Sequence, residues 1–359
     1  MAQAVYRLQD IERDADSIRT DRSTLLRGSY QPAWVMGVSS EGGWHRIDKN
    51  GATITVDGSI NTSLGKHTYF DNKPIYRDIA TVSMSSLRPN QIMVKIPKFY
   101  YKRIGTGVAG DPYKLWVASL PLQGFSIHPA FMKNGSPIDC FYVGAYTCGG
   151  AEYDSQAGLA PTVSMTFPTA QSAISTKHGS GWNMWDIYQL AAIQMLALVE
   201  LASPDVQTLI GTGHSSGSGA VANGASSSVY RGIHELWGNV WQMVDGFRGV
   251  SGSAVAEIFK TDGSRTYVST GITPAAGSGG AITSVLANAG TGFDLGAIHC
   301  YGPSGATTWS DAYFGPAAGF VSYHGGYWGG GASVGLVCLS LYLAASSSHS
   351  GFGARLAKV

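Results

Sequence analysis

The hydrophobic positions near the start of the chain repeat every three to four residues. Arg, Asp and Glu occupy the other faces, and the apolar stripe consists of Val5, Leu8, Ile11, Ala15, Ile18 and Leu25. This spacing predicts an amphipathic helix over residues 3–27 that ends at Gly28. So narrow a stripe is marginal in a lone helix, because a short helix needs tertiary or coiled-coil packing to be stable. We assign residues 1–28 as an oligomerising helix, with packing on its own domain as the alternative.

From about residue 30 to residue 90 the pattern changes to short alternating pieces. Examples are the sequence TITV at 53–56 and the stretch 76–82, with Gly, Asn and Asp-Gly pairs between such pieces. These are strand and hairpin signals. We therefore expect a small β module or linker over residues 29–90.

From residue 92 onward, the hydrophobic pattern predicts both strands and helices. Residues 92–103 predict a strand with one buried face, and Pro97 indicates an edge or a bulge in it. Further strands are predicted at 116–119 and 141–146, with a long loop at 121–135 in which His128 is structural. The sequence thus favours an α+β fold over residues 91–359.

Two helices are predicted after these strands. The first covers 169–177 and stops at Gly179, and the second covers 184–201 and is apolar on most sides. A helix with that pattern should lie buried across a sheet. Two Gly/Ser-rich loops follow, at 211–228 and 271–292, and the first is too polar to pack. Long loops between strands usually mark a functional or interface face.

The amino-acid composition limits the classes of partner that the chain is expected to bind. With 359 residues, two or three structural units are expected. The net charge of +1 and a charged fraction of 13% argue against nucleic acid and against an anionic membrane, which both need clustered Lys and Arg. The 48 Gly, 18 Tyr and 9 Trp residues suit loop-heavy β proteins with binding surfaces rich in aromatic rings.

The cysteines and the N-terminus give no sign of metal binding or export. Cys140, Cys148, Cys300 and Cys338 form no C-x-x-C pair and no zinc-type spacing, so we interpret them as buried or free thiols. We expect no metal and no cofactor. No secretory signal follows Met1, and the longest apolar run, 187–201, is too short to cross a bilayer. Synthesis in the host cytoplasm and no membrane insertion are therefore expected.

Two phrases in the second half are distinctive. Residues 230–246 read YRGIHELWGNVWQMVDG, and residues 325–355 begin with GGYW and end with GFGAR. Together with the preceding helix pair they resemble the C-type-lectin-like fold. More narrowly, they are similar to the branch shared by formylglycine-generating enzymes and the variable proteins of diversity-generating retroelements, which includes phage tropism determinants. The resemblance covers about residues 90–359, and segments such as VKIPKFYYK are similar to phage tail-fibre receptor-binding proteins.

The resemblance implies a fixed frame and a variable face within about residues 310–355. In such proteins adenine-directed mutagenesis turns Asn codons into codons for Gly, Ser, Tyr, Cys, Leu, His and Phe. The frame includes Trp237, Trp241, Trp328 and Arg355. The ligand-binding residues that it implies are Tyr327, Gly329, Gly330, Ser333, Cys338, Ser340, Tyr342, Ser348, His349 and Phe352. Of these we expect Tyr327, Ser340, Tyr342, His349 and Phe352 to share one exposed surface.

Three functional classes are considered for this sequence: an oxidase of the formylglycine-generating type, a calcium-dependent lectin and a diversified binding protein. A formylglycine-generating oxidase needs two cysteines close together after the Gly-Gly-aromatic step, and only Cys338 stands there. A calcium-dependent lectin needs clustered Asp, Asn and Glu oxygens, and residues 325–355 contain no acidic residue. A sugar-binding role for Glu235 or Asn239 is the minor alternative to a structural one.

We therefore expect a receptor-binding protein at the tip of a phage or prophage tail fibre, and not an enzyme. The resemblance implies a homotrimer, a host cell-surface receptor that is protein or glycan, other tail-fibre proteins as partners, and a place in the virion tail. The alternative is a glycan-binding, lectin-like adhesin without diversification, and an oxidase of the formylglycine-generating type is the least favoured interpretation.

Overall fold

A computed structural model describes residues 33–88, 90–105, 110–250, 253–259, 265–269, 280–281, 311–314 and 320–359. Val35–Val359 forms one compact unit. The helix predicted for residues 1–28 lies outside the described residues, as does nearly all of the 271–292 loop. Both stay predictions.

Strands make up most of the regular structure in the described part of the chain. In order they are β1 (Val35–Ser39), β2 (His45–Ile47), β3 (Ile60–Asn61), β4 (Lys66–His67), β5 (Ala80–Met84), β6 (Gln91–Pro97), β7 (Tyr100–Ile104), β8 (Lys114–Ala118), β9 (Ser126–Ile127), β10 (Met132–Lys133), β11 (Ser136–Pro137), β12 (Cys140–Thr147), β13 (Trp182–Met184), β14 (Trp241–Val250), β15 (Ser253–Phe259), β16 (Arg265–Ser269), β17 (Gly280–Ala281), β18 (Ala312–Phe314), β19 (Phe320–His324), β20 (Leu339–Ala344), β21 (Phe352–Gly353) and β22 (Arg355–Lys358). The α-helices are α1 (Phe167–His178), α2 (Ile187–Leu201) and α3 (Val206–Leu209). Short 3₁₀ helices cover Thr68–Asn72, Tyr76–Asp78, Pro129–Phe131 and Gly331–Ser333. The mixture is α+β, as the sequence pattern predicts.

Three larger sheets organise these strands. One has the order β2-β1-β8-β7-β9, and a second has the order β13-β22-β12-β6-β5. The third follows the path β16-β15-β14-β19-β20-β18-β17, with β21 paired to β14. Pairing is antiparallel in the first two sheets, and β14–β21 and β18–β20 are parallel pairs in the third. The chain's last strand, β22, therefore lies inside the second sheet, next to β12 and β13.

Two strands of segment 29–90, β1 and β5, pair with strands that follow the segment, whereas β3 and β4 pair with each other. β1 pairs with β8 over five residues, from Val35 opposite Ala118 to Ser39 opposite Lys114. β5 pairs with β6, so the boundary predicted near residue 90 falls inside a hairpin. Residues 35–84 thus contribute strands to the same two sheets as residues 91–118.

Several strand predictions in this region were wrong in detail. Residues 92–103 form two strands instead of one, because the chain leaves the second sheet after Pro97 and enters the first at Tyr100. The stretch 53–56 makes only an isolated bridge, between Ile47 and Thr53. Residues 76–82 begin as a 3₁₀ turn before β5 starts. His128 is buried and caps the 3₁₀ turn at 129–131, which agrees with its predicted structural role.

Helix α2 is buried along its whole length, as its apolar pattern predicts. It begins at a capping box, in which the Asp186 carboxylate accepts the Gln189 N–H at 2.9 Å and the Gln189 side chain accepts the Asp186 N–H at 3.0 Å. Gln194 donates to the Leu336 carbonyl oxygen at 2.7 Å. The helix therefore tolerates complete burial because each of these polar side chains has a partner.

The acidic residue near the end of α2, Glu200, is paired inside the protein. Its carboxylate accepts two hydrogen bonds from the Arg231 guanidinium, at 2.6 and 2.7 Å, and one from the Tyr230 hydroxyl at 3.0 Å. The His67 N–H donates to it at 2.7 Å. This ion pair joins α2 to the β3–β4 hairpin and to the start of the 230–246 phrase.

Candidate functional site

The Gly325–Gly326 step turns the chain out of β19 toward the predicted variable region. Both residues have positive φ, +89° and +78°, where glycine is favoured. A Cβ on Gly325 would meet the Leu236 carbonyl oxygen at 3.0 Å, and one on Gly326 would overlap the Val334 side chain. The Gly238 N–H donates to the Gly325 carbonyl oxygen at 3.0 Å, and the Trp328 N–H donates to that of Asn239 at 3.0 Å. The turn is thereby fixed against the 230–246 phrase.

That phrase also anchors the 211–228 loop. The Asn239 amide accepts the Val221 N–H and donates to the Val221 carbonyl oxygen, both at 2.9 Å, so its polar atoms are used in structure. The Trp237 indole N–H donates to the Gly211 carbonyl oxygen at 3.0 Å. Glu235 accepts the Gly224 N–H at 2.8 Å. The loop that we expected to be too polar to pack is instead held by partly buried hydrogen bonds, because the phrase supplies partners for its backbone.

Arg355, at the start of β22, is fully buried. Its guanidinium donates to Gln242 Oε1 and the Gly144 carbonyl oxygen at 2.7 Å, and to the carbonyl oxygens of His234 and Glu235 at 2.6 and 3.0 Å. Burial lowers the pKa of Arg355 to about 10. The residue therefore ties β12, β14 and the 234–235 turn together, as expected of a frame residue.

A depression of about 300 Å³ lies above this frame. It is lined by Trp241, Tyr327, Ser340, Tyr342, Leu343, His349 and Phe352. Five of these residues are the ones that we expected to share a surface, and they come from three separate segments. Trp241 and Phe352 meet because β14 and β21 pair in parallel with these two residues opposite each other. Ser340 and Tyr342 point to the same face because they are two positions apart on β20.

Ring contacts set the shape of the depression. The His349 ring lies 6.2 Å from the Tyr327 ring and 5.3 Å from the Phe352 ring, and it stacks on Trp328 at 6.5 Å. His349 Nδ1 accepts the Gly351 N–H at 3.0 Å, so the neutral ring carries its proton on Nε2. The Tyr342 side chain is 53% exposed and forms the outer wall. The depression therefore presents aromatic ring faces together with a few polar side-chain atoms.

The remaining predicted site residues lie beside the depression or beneath it. Gly329, Ser333 and Ser348 are exposed, and Gly330 is half-buried in the turn that follows Tyr327. Ser340 and Phe352 contradict the prediction that they are exposed. They line the depression, but only 3% and 8% of each is exposed, because each is part of a strand paired within the third sheet.

Cys338 contradicts the prediction that it contacts a ligand, because it is fully buried. It lies directly before β20, and burial raises the pKa of its thiol well above the ordinary value. Its carbonyl oxygen accepts the Gly325 N–H, which places its backbone in the core beneath the turn.

Two lining residues were missed by sequence reasoning. Trp241 was assigned to the core, and it is 92% buried, yet it also lines the depression. Leu343 carries no motif, and no sequence signal identifies it. Among the frame residues, Trp237 is fully buried and Trp328 is half-buried, with its indole N–H enclosed and without a partner in the described structure.

The described residues contain neither a candidate metal site nor a helix that could span a membrane. They contain no group of three or more His, Cys, Asp or Glu side chains placed to hold a metal ion. No helix among them combines the length and the apolar character needed to cross a membrane.

Fold and surface together define an α+β chain with an aromatic depression above a buried, hydrogen-bonded frame. No protein-family model matches the chain. No curated protein matches it either.

Solved structures do show similarity. They include the Major Tropism Determinant P3c variant, at 14% identity over 61% of this chain and 50% of that one, with a TM-score of 0.31. The U1 variant has 14% identity over 76% and 64%, with a TM-score of 0.32. PvdO from Pseudomonas aeruginosa has 13% identity over 80% and 99%, with a TM-score of 0.38. The chain thus spans half to two-thirds of the length of these two determinants, which are among the neighbours that its motifs predict.

Proposed function

We propose that the chain is a receptor-binding protein at the tip of a phage or prophage tail fibre. In this proposal residues 91–359 form a C-type-lectin-like domain whose C-terminal region displays a diversified ligand-binding surface. The observation that carries it is the depression, in which Tyr327, Ser340, Tyr342, His349 and Phe352 meet from separate segments. The resemblance had assigned all five to the variable face.

The separation of frame from face supports this function. Trp237 and Arg355 are fully buried and hydrogen-bonded, whereas Tyr342 and His349 present accessible side chains on fixed backbone. Exposed substitutions usually change stability by under about 0.5 kcal/mol. Such a frame lets the face vary while the fold persists, and Tyr and His supply large contact area at a low entropic cost.

The competing functions are less well supported by the site. An oxidase of the formylglycine-generating type would need a reactive thiol near the Gly-Gly turn, but Cys338 there is buried with a raised pKa. The undiversified glycan-binding adhesin remains the second candidate, because exposed rings such as Tyr342 suit sugar faces as well as protein side chains. Assembly as a homotrimer and attachment to other tail-fibre proteins belong to the same proposal, in which several copies of a weak site add avidity.

A paired alanine scan tests the proposal. Tyr327, Tyr342 and His349 are changed one at a time for the face, and Trp237 is changed for the frame. We expect the face variants to keep the melting temperature and to adsorb to host cells more weakly, by about ten-fold for a Tyr that acts as a hot spot. Trp237→Ala should lose about 3 to 5 kcal/mol of stability. Ser172→Ala, an exposed change on α1, is the control for both readouts.

Two outcomes contradict the proposal. If the Tyr and His variants unfold while Trp237→Ala stays folded and stops binding, frame and face are inverted. If no face variant changes adsorption, the receptor does not bind at this depression. Diversification itself is tested in the neighbouring DNA, where a near-copy of the 3′ end that differs only at adenines should lie beside a reverse transcriptase gene.

A further inference from the structure

Another cavity of about 300 Å³ opens away from the depression, and the two share no lining residue. It lies between the turn that joins β3 to β4 and the 211–228 loop. Hydroxyl side chains line much of it: Thr62, Ser63, Ser226 and Ser227. Ile210 and Val229 provide apolar wall, and His234 completes the lining.

The walls of this cavity are fixed before any ligand binds. Glu235 Oε1 accepts the N–H groups of Gly224 and Ser226, at 2.8 and 3.2 Å, on the loop side. On the other side, the Arg231 N–H donates to the Leu64 carbonyl oxygen at 2.9 Å. A Cβ on Gly65 would overlap the Val229 carbonyl, so the turn and the loop are in close contact there. A preformed site loses less entropy on binding.

His234 is the distinctive group in the wall. Its ring stacks on Tyr146, with centroids 4.7 Å apart and planes 19° from parallel. Nδ1 is buried and has no hydrogen-bond partner in the described structure, which leaves Nε2 as the ring atom available to a ligand. Burial and the nearby Arg355 lower the pKa of this imidazole, so it is neutral at neutral pH.

We propose that this cavity binds a neutral saccharide ring. Ser and Thr hydroxyls both donate and accept hydrogen bonds, which suits the hydroxyl groups of a sugar. Ile210 and Val229 suit its C–H face. No charged side chain is found among the described lining residues, so an anionic ligand would find no counter-charge there. The site is independent of the receptor depression, and it would add a glycan contact to whatever the depression binds.

The test uses the full-length chain and ligand-observed NMR. The probes are the methyl glycosides of glucose, galactose, mannose and N-acetylglucosamine, with glycerol and glucuronate as comparators. We expect at least one glycoside to bind with a millimolar dissociation constant, and both comparators to bind at least five-fold more weakly. The variants are Ser227→Ala and His234→Phe, since Phe retains the ring stack on Tyr146 and removes both nitrogens. Ser172→Ala, which removes an exposed hydroxyl on α1 outside the cavity, is the control.

Ser227→Ala and His234→Phe should each weaken glycoside binding by about five-fold, the effect of one lost hydrogen bond of about 1 kcal/mol. Ser172→Ala should leave binding unchanged, and all three variants should keep the melting temperature. Absence of binding up to about 100 mM glycoside overturns the proposal. So does binding that neither cavity variant weakens, or binding that Tyr342→Ala abolishes, which would place the sugar in the depression. Because Ser227 is exposed, its variant remains informative even if His234→Phe fails to fold.

Discussion

Replacing Arg355 with Met should be among the most destabilising single changes in the frame. Met has a similar reach and removes the guanidinium, so Gln242 Oε1 and the carbonyl oxygens of Gly144 and His234 lose its hydrogen bonds, whereas the Glu235 carbonyl oxygen keeps one from Gln242 Nε2 at 2.7 Å. Each unsatisfied buried group costs about 1 to 3 kcal/mol. These costs are not additive within one network, and Met recovers part of the apolar contact, so we expect a loss of about 4 kcal/mol. That is a large fraction of the ~5 to 15 kcal/mol by which native proteins are stable.

The assay is urea unfolding followed by tryptophan fluorescence, because Trp185 lies 5.4 Å below the Arg355 guanidinium and reports its surroundings. Arg77→Met is the control. The Arg77 side chain is 57% exposed and its only ion pair among the described residues is with Asp78, so the change should leave the free energy of unfolding nearly unaltered. Adsorption by Arg355→Met should fall only in proportion to the unfolded fraction. A loss below about 1 kcal/mol, or lost adsorption in a fully folded variant, would refute the frame role of Arg355.

Three further predictions follow from other parts of the chain. Glu200→Ala should cost about 3 kcal/mol in urea unfolding, because the buried Arg231 guanidinium loses its 2.6 Å ion pair and, among the described residues, keeps only the Asp71 carboxylate at 3.4 Å as an ion-pair partner; a cost below about 1 kcal/mol would contradict this. Burial raises the pKa of Glu235 above its unfolded value, so its contribution to stability is present at low pH and is lost as pH rises through the folded pKa. Glu235→Gln should therefore gain melting temperature over wild type between pH 5 and pH 8 and lose that gain near pH 4, and a gap independent of pH would argue against it. Light scattering should find a trimer at micromolar concentration, built by the stripe within residues 1–28, and a monomer would exclude this assembly.

The sequence by itself determined those elements that depend only on residues close together in the chain. The apolar pattern of residues 187–201 specifies a buried helix, although the predicted start at 184 was three residues too early, because Met184 belongs to β13 and the helix begins after the Asp186–Gln189 capping box. Gly179 ends α1 because a positive φ of +89° is needed there. The Gly-Gly step at 325–326 and the Trp-rich phrase indicated a fixed frame through the family resemblance that they carry. The α+β class followed from these same patterns.

Tertiary structure decided which side chains meet and which are covered. Pro97 predicted an edge or a bulge. Where β6 ends and β7 begins is set by tertiary structure, because β6 pairs in the second sheet and β7 pairs in the first. Trp241 and Phe352 lie 111 positions apart, and the parallel pairing of β14 with β21 is what brings them to one depression. Cys338 belongs to the same stretch as Ser340 and Tyr342, yet it is buried where Tyr342 is exposed. Exposure depends on what packs above each residue, which is a property of the assembled sheets and is absent from the local pattern.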